Sequence, residues 1–237
     1  MLFARLAESD TKSETTRITN SGRSVYLGEP FSLAFVVQRV CSPSEADSTS
    51  NKMHYAIPDT VDEKARNLFY DHKKEREEFE FLRHRGMFDV PEKSVSDKLI
   101  HVYFDCMHPA WPIFDRDKFA RLYEENMLSP LVCQIVYFLA VTLCDESLLH
   151  EAGFKSRYKA RIAFYTRAKA LYHADYERDK VTLVSALFLM GFWWGGPVDE
   201  KDTWHWLGDS IGLAQTMGMH RSSVSPIAIR ILLLIEL

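Results

Sequence analysis

The stretch that decides the fold is Trp204–Arg221, which reads WHWLGDSIGLAQTMGMHR. On a helix, its apolar positions recur every three or four residues and share one face. These positions are Trp204, Leu207, Ile211, Ala214 and Gly218. Gly208 and Gly212 lie one turn apart on the neighbouring strip, where a missing side chain lets another backbone approach closely. The final Met219–Arg221 cluster places cations at the negative end of the helix dipole. The pattern therefore predicts a packing helix, and Trp204→Ala and Gly208→Leu are expected to destabilise the fold.

Further helices are predicted from apolar spacing, caps and breakers. They run from Thr60 to about Arg85, from Ser94 or Ser96 to His108, and over Arg116–Asn126, Leu131–Cys144, Lys155–His173, Asp179–Trp194 and Asp199–Met217. Thr60 and Glu63 form a capping box, and Asp115 is expected to cap the helix that follows it. Only Val25–Val40 could form an extended segment. The predicted class is all-α, an irregular multi-helix bundle.

The composition excludes several classes of protein. Aromatic residues make up 13% of the chain, as in a packed interior and unlike a disordered activator. The net charge is -4 with no basic face, which argues against a stand-alone nucleic-acid binder. The four cysteines form no C-x-x-C pair, and Cys106 is expected to be buried. The apolar runs of about 14 residues are too short to span a bilayer.

Two constellations could suggest chemistry. His101, Asp105 and His108 share a helix face and superficially resemble a metal site, but their apolar neighbours favour structural packing. His205 and His220 lie near aspartates, yet no nucleophile motif or phosphate-cradling loop accompanies them. The sequence therefore predicts no catalytic residue, no bound cofactor and no metal.

The tryptophans leave two interpretations open. Trp193, Trp194, Trp204 and Trp206 cluster around the Gly195-Gly196 turn. A hydrophobic corner is the favoured interpretation. The alternative is the wall of a small-molecule pocket, because apolar pockets between helices are common ligand sites.

Two segments resemble one known family. Trp204–Arg221 resembles the W-x-W-L-G-x-A-I-x-L-A-Q-x-x-G-L-H-R signature of the fungal-specific transcription factor domain, the middle homology region of fungal zinc-cluster transcription factors. Leu99–Tyr123, LIHVYFDCMHPAWPIFDRDKFARLY, is similar to the family's opening signature. Gly22–Val36 and Phe79–Pro91 resemble the subgroup of cutinase and fatty-acid gene regulators. The resemblance assigns packing roles to Tyr103, Phe104, His108, Pro109, Pro112, Asp115, Trp204, Gly208, Gln215, Gly218, His220 and Arg221.

The resemblance also implies a domain organisation. Residues 1–58 are expected to be an N-terminal segment and linker, partly disordered. Residues 59–237 are expected to form the regulatory domain, with the family signature over 99–221 and an incomplete C-terminus. Because Ile227–Leu237 is apolar on most faces, self-association is expected. The family's six-cysteine zinc cluster, which would bind DNA, is expected upstream of this chain.

The implied function is regulation of RNA polymerase II transcription in the nucleus, without enzymatic activity. DNA would be contacted only through the zinc-cluster module, and zinc would be held only there. A co-regulator protein or a small-molecule effector would be the partner of this domain, and no membrane is expected to be one. The alternative is a helical scaffold that binds a ligand or a protein and has no DNA-binding activity.

Overall fold

The structure, a computed structural model, describes residues 24–26, 54–56, 72–196 and 199–219. Over these residues it contains eight α-helices. They are α1 (His72–His84), α2 (Lys93–Val102), α3 (Arg116–Glu124), α4 (Pro130–Leu143), α5 (Glu146–Glu151), α6 (Arg157–His173), α7 (Lys180–Met190) and α8 (Thr203–Thr216). A π-helical turn, Tyr103–Met107, continues α2. The predicted all-α class is confirmed.

The chain divides into two compact units, residues 71–210 and residues 1–70 with 211–237. In the second unit, β1 (Ser24–Tyr26) pairs with β2 (His54–Ala56) in an antiparallel ribbon that sets Val25 opposite Tyr55. These are the only strands in the described part of the chain. The extended segment suggested for Val25–Val40 is therefore present at its start, and the rest of that range lies outside the described residues.

Helix α4 is the centre of the 71–210 unit. Its sequence PLVCQIVYFLAVTL is apolar on all faces, and its residues are buried almost throughout, as expected for a helix surrounded by others. It packs against α2, the π-helical turn, α6 and α7. Ser129 precedes it as the N-cap residue and Pro130 occupies the first turn, as predicted, because proline there loses no helical hydrogen bond.

Aspartates cap the starts of four helices, α3, α5, α7 and α8. Asp115 accepts a hydrogen bond from the Lys118 amide at 2.9 Å, which confirms the predicted cap of α3. Asp145 caps α5 in the same way, through the Leu148 amide at 2.8 Å. Helix α5 is not among the predicted helices, because six residues are too few to establish a helical period. These caps satisfy amide groups that the first turn of a helix leaves free.

Other helix limits differ from the predictions. The Ser94 or Ser96 start of α2 is wrong, since the helix begins at Lys93 and Ser96 instead donates its hydroxyl to the Pro91 carbonyl at 3.0 Å. The helix predicted over Asp179–Trp194 ends at Met190, where Gly191 follows as C-cap. Helix α8 begins at Thr203, four residues later than predicted.

Several predictions fall on residues that the structure does not describe. They are the boundary at residue 58, the Thr60 capping box, Pro197, His220, Arg221 and the apolar segment Ile227–Leu237. Within the described ranges, no helix combines the length and the apolar character needed to cross a bilayer.

Candidate functional site

The first turns of helix α8 present a different face to the core from the predicted one, whereas Ala214 on the predicted face is buried. Trp206 and Ser210 are fully buried, whereas the Trp204 side chain is 82% exposed. The prediction that Trp204 lies on the buried face is therefore wrong. The two tryptophans point about 200° apart around the helix axis, so only one of them can face inward.

Hydrogen bonds explain why Trp206 is the buried tryptophan. Its indole Nε1 donates to the Tyr165 hydroxyl and to the Lys201 carbonyl, each at 3.1 Å. One turn further along α8, the Ser210 hydroxyl donates to the Val184 carbonyl of α7 at 2.9 Å. A buried indole or hydroxyl needs such an acceptor, and these acceptors bind α8 to α6 and α7.

Trp193 forms the second buried part of this region. Its ring stacks on Tyr165 with a centroid distance of 4.0 Å and an interplanar angle of 9°. Its Nε1 donates to Oδ2 of Asp199 at 2.6 Å. Burial alone would raise the pKa of Asp199, but this hydrogen bond and one from the Lys201 amide lower it below its ordinary value. The carboxylate is thus held ionised beside the indole.

The four tryptophans therefore do not form one cluster. Trp193 and Trp206 lie in the core on either side of Tyr165. Trp194 is 65% exposed and points to solvent, as Trp204 does. The hydrophobic-corner interpretation therefore applies to Trp193 and Trp206 only. Trp194 and Trp204 lie on the surface.

Among the residues that the structure describes, none lies close to the glycines of α8. A Cβ atom built on Gly208 or on Gly212 would meet nothing within 4 Å in the described structure. The described residues therefore do not supply the predicted close approach of another backbone. Gly218 adopts a left-handed φ of 69° just after α8, and its amide donates to the Gln215 carbonyl at 2.9 Å, as in a glycine that ends a helix.

The residues of the opening signature surround the π-helical turn. Tyr103 and Phe104 lie in the core, His108 and Pro112 are half-buried, and Pro109 and Asp115 are exposed. His108 Nε2 lies 2.8 Å from the Phe114 carbonyl oxygen and can donate a hydrogen bond to it. This contact supports the packing interpretation of His108.

The three residues of the superficial metal site face different surroundings. His101 and Asp105 are exposed, and Asp105 lies 3.8 Å from Arg116. The described residues contain no group of three or more possible ligands that could hold a metal ion. Cys106 is exposed, so the expectation that it is buried is wrong. The π-helical turn inserts an additional residue and rotates this segment relative to a regular helix.

A groove that the sequence did not predict lies between α2 and α3. Its cavity has a volume of about 430 Å³, within the range of small-molecule sites. It is lined by Lys93, Asp97, Ile100, His101, Phe104, Arg116, Phe119, Ala120, Tyr123 and Glu124. On each helix these residues recur at helical spacing, but the sequence shows only two separate faces and not that they are adjacent.

Side chains of the two helices contact each other at both ends of the groove. The Tyr123 hydroxyl donates to Oδ1 of Asp97 at 2.8 Å, and the Lys93 ammonium lies 4.9 Å from the centre of the Tyr123 ring. Burial, and then the hydrogen bond to Asp97, raise the pKa of Tyr123, so its hydroxyl remains a donor. At the other end the Arg116 guanidinium lies 5.4 Å from the centre of the Phe104 ring.

Comparisons with known proteins identify relatives of the chain. The sequence model of the fungal-specific transcription factor domain matches residues 100–227, just over half of the chain. Cutinase transcription factor 1 alpha of Fusarium vanettenii is 37% identical over 209 residues, which cover 86% of this chain and 22% of that protein. Cutinase transcription factor 1 beta of the same fungus is 36% identical over 151 residues, covering 62% of this chain and 17% of that protein.

A third relative is more distant. The acetamidase regulatory protein of Aspergillus fumigatus is 30% identical over 138 residues, covering 57% of this chain and 18% of that protein. The chain thus spans about a fifth of the length of these curated relatives. No solved structure matches it. The resemblance to the fungal-specific domain, including its cutinase-regulator subgroup, is confirmed.

Proposed function

The chain belongs to the fungal-specific transcription factor domain family, and on that premise we propose that it is the regulatory region of a longer transcription factor controlling RNA polymerase II transcription. The observation that supports a regulatory role is the groove of about 430 Å³ between α2 and α3. A groove of that size lets an effector bind a domain whose relatives are named as transcription factors and regulators. The domain would hold the activator in a repressed or responsive state.

DNA contact is proposed to belong to a zinc-cluster module outside these 237 residues. A six-cysteine cluster needs more cysteines than the four present here, and the net charge of -4 disfavours contact with phosphates. The proposal includes a nuclear location, no enzymatic activity and no zinc bound by this chain. Fluorescence anisotropy at physiological salt should show no sequence-selective DNA binding, and elemental analysis should find no stoichiometric zinc. Submicromolar selective binding or one tightly held zinc per chain would contradict these parts.

A transcriptional reporter tests the regulatory role directly. The 237-residue chain is inserted between a heterologous DNA-binding domain and an activation domain, and the reporter output is compared with that of the fusion lacking the insert. We expect a lower output with the chain present, and recovery when Trp206→Ala disrupts its core. Lys159→Ala, on the exposed surface of α6, is the matched control and should leave output low. Equal output with and without the chain would refute a regulatory function.

A helical scaffold for a partner protein is the second candidate. Trp194 and Trp204 favour it, because exposed tryptophans are enriched where proteins bind one another. Self-association, expected from Ile227–Leu237, is the simplest such interaction, although that segment lies outside the described residues. Light scattering on the purified chain should find oligomers if this expectation holds. A monodisperse monomer would contradict it.

A further inference from the structure

The groove between α2 and α3 has opposite electrostatic character at its two ends. Lys93 lies over Tyr123 and Arg116 over Phe104, so the start of each helix faces the end of the other and the helices run antiparallel. Arg116 and His101 line one end, and among the described lining residues no carboxylate is found there. Lys93 lines the other end together with two carboxylates, described next.

The acidic end is built from Asp97 and Glu124. Asp97 already accepts the Tyr123 hydroxyl, and its second oxygen remains able to accept from a ligand. Glu124 lines the same end and has no ion pair within 4 Å in the described structure. This end carries one lysine and two carboxylates, so it favours a ligand group that donates a hydrogen bond. Asp97 and Phe104 are seven residues apart, so the two ends of the groove are separated by about 10 Å at the rise per residue of an α-helix.

The cationic end can accept an anion. Asp105 lies 3.8 Å from Arg116, but both side chains are more than half exposed, so this pair contributes little. A guanidinium presents a planar fork of donors that matches a carboxylate in two parallel hydrogen bonds. A ligand carboxylate can therefore replace Asp105 as the partner of Arg116 at small cost.

The middle of the groove is apolar and largely aromatic. Phe119 is nearly fully buried and packs edge-on against Phe104 with a centroid distance of 5.0 Å. Ile100 and Ala120 complete this section of the lining. Phe104 belongs to the π-helical turn, a distortion that is frequent at functional sites. Aromatic rings pack favourably on such a surface.

We propose that this groove binds a planar aromatic carboxylic acid with a hydroxyl group at its far end, the carboxylate on Arg116 and the hydroxyl donating to Glu124. The ring lies between the two helices, against Ile100 and Ala120. This inference rests on the proposed regulatory function only for its biological meaning, because binding is measured on the chain itself. The effector sensed by the domain would then be a small phenolic acid.

Isothermal titration calorimetry on the full 237-residue chain tests the proposal with three probes. They are 4-hydroxycinnamate, its methyl ester, which lacks the carboxylate, and cinnamate, which lacks the hydroxyl. We expect 4-hydroxycinnamate to bind with a dissociation constant below about 1 mM and the ester at least about tenfold more weakly, since a charge-assisted pair is lost. No detectable binding of 4-hydroxycinnamate at millimolar concentration would overturn the proposal.

Matched variants locate the site. Arg116→Gln should weaken binding of 4-hydroxycinnamate at least about tenfold. Arg121→Gln makes the same change on the exposed surface of α3, outside the groove, and should leave binding within about twofold. Equal effects of the two variants, or none from Arg116→Gln, would refute the assigned site. Melting curves of each variant verify that it remains folded.

Two further variants examine the middle and the acidic end. Ala120→Leu fills the groove from an exposed position and should abolish binding without lowering the melting temperature. Glu124→Gln should reduce the preference for 4-hydroxycinnamate over cinnamate. If Ala120→Leu binds like the parent, the ligand lies elsewhere. Reporter repression with no binding would refute this inference alone, whereas binding with no repression would refute the proposed function and leave the site intact.

Discussion

Replacing Trp206 by alanine should destabilise the protein more than any other single change on α8. The ring is fully buried, and truncating a buried tryptophan leaves a cavity that costs roughly 3–5 kcal/mol. The Lys201 carbonyl also loses a donor at 3.1 Å, although the Tyr165 hydroxyl still donates to it at 3.3 Å. That partial loss adds about 1 kcal/mol. A total of roughly 4–6 kcal/mol is a large share of the stability of an ordinary domain.

The same substitution at Trp204 is the matched control. It lies two positions away on the same helix and is 82% exposed, so its removal should change stability by less than about 0.5 kcal/mol. Trp206→Phe separates the two contributions, because it keeps most of the ring and removes the Nε1 donor. Its expected cost is about 1 kcal/mol, because the Lys201 carbonyl keeps the Tyr165 hydroxyl as a donor.

Urea unfolding of the full chain, followed by far-UV circular dichroism, measures these differences. The midpoint should fall for Trp206→Ala with an unchanged denaturant slope, and it should stay in place for Trp204→Ala. If Trp204→Ala is the more damaging variant, the orientation of α8 described above is wrong. The face predicted from the apolar spacing would then be the buried one.

Three other predictions follow from the contacts. Gly208→Ala should raise the free energy of unfolding by about 1 kcal/mol, because alanine favours the helix and a Cβ there meets nothing within 4 Å in the described structure. A loss of stability would mean that another part of the chain covers this glycine. Asp179→Ala should lower the free energy of unfolding by about 0.5–2 kcal/mol, because its carboxylate accepts a hydrogen bond from the Thr182 amide at 3.0 Å. Asp117→Ala, on the exposed first turn of α3, is the control and should have a smaller effect. Burial, and then the Lys201 ammonium, lower the pKa of His173 below its ordinary value. The unfolded chain therefore binds more protons, and stability should be full above about pH 6.5 and fall as the pH drops below it. His173→Gln should flatten that slope in urea titrations at several pH values, and an unchanged slope would assign it to other groups.

Local chemistry made much of the fold predictable. Asp115 caps α3 because a short acceptor stands just before an apolar helical period, and Pro130 marks the start of α4 because proline suits only the first turn. Gly218 ends α8 because a left-handed φ favours glycine. Each of these signals acts within a few residues along the chain, so the sequence alone contains it.

The rotation of α8 was not predictable in the same way. Apolar spacing counts Trp204 as a core residue. The structure exposes Trp204 and buries Trp206 and Ser210, because Ser210 donates to the Val184 carbonyl of α7 and Trp206 donates to Tyr165 of α6. These acceptors come from helices about 26 to 41 positions earlier in the chain. A periodicity argument on one helix contains no information about them.

The groove could not be predicted from a single helix either. Residues of the opening signature both pack in the core and line this groove. Phe104 lies in the π-helical turn, is buried against Phe119 and also lines the groove between α2 and α3. A regular helix through Tyr103–Met107 would advance each later residue by about 100° and direct the following side chains elsewhere. The His108 contact with the Phe114 carbonyl holds the chain after that turn, so Arg116 begins α3 within reach of Phe104. The packing of the signature and the lining of the groove thus share Phe104, which contacts Phe119 on one side and the groove on the other.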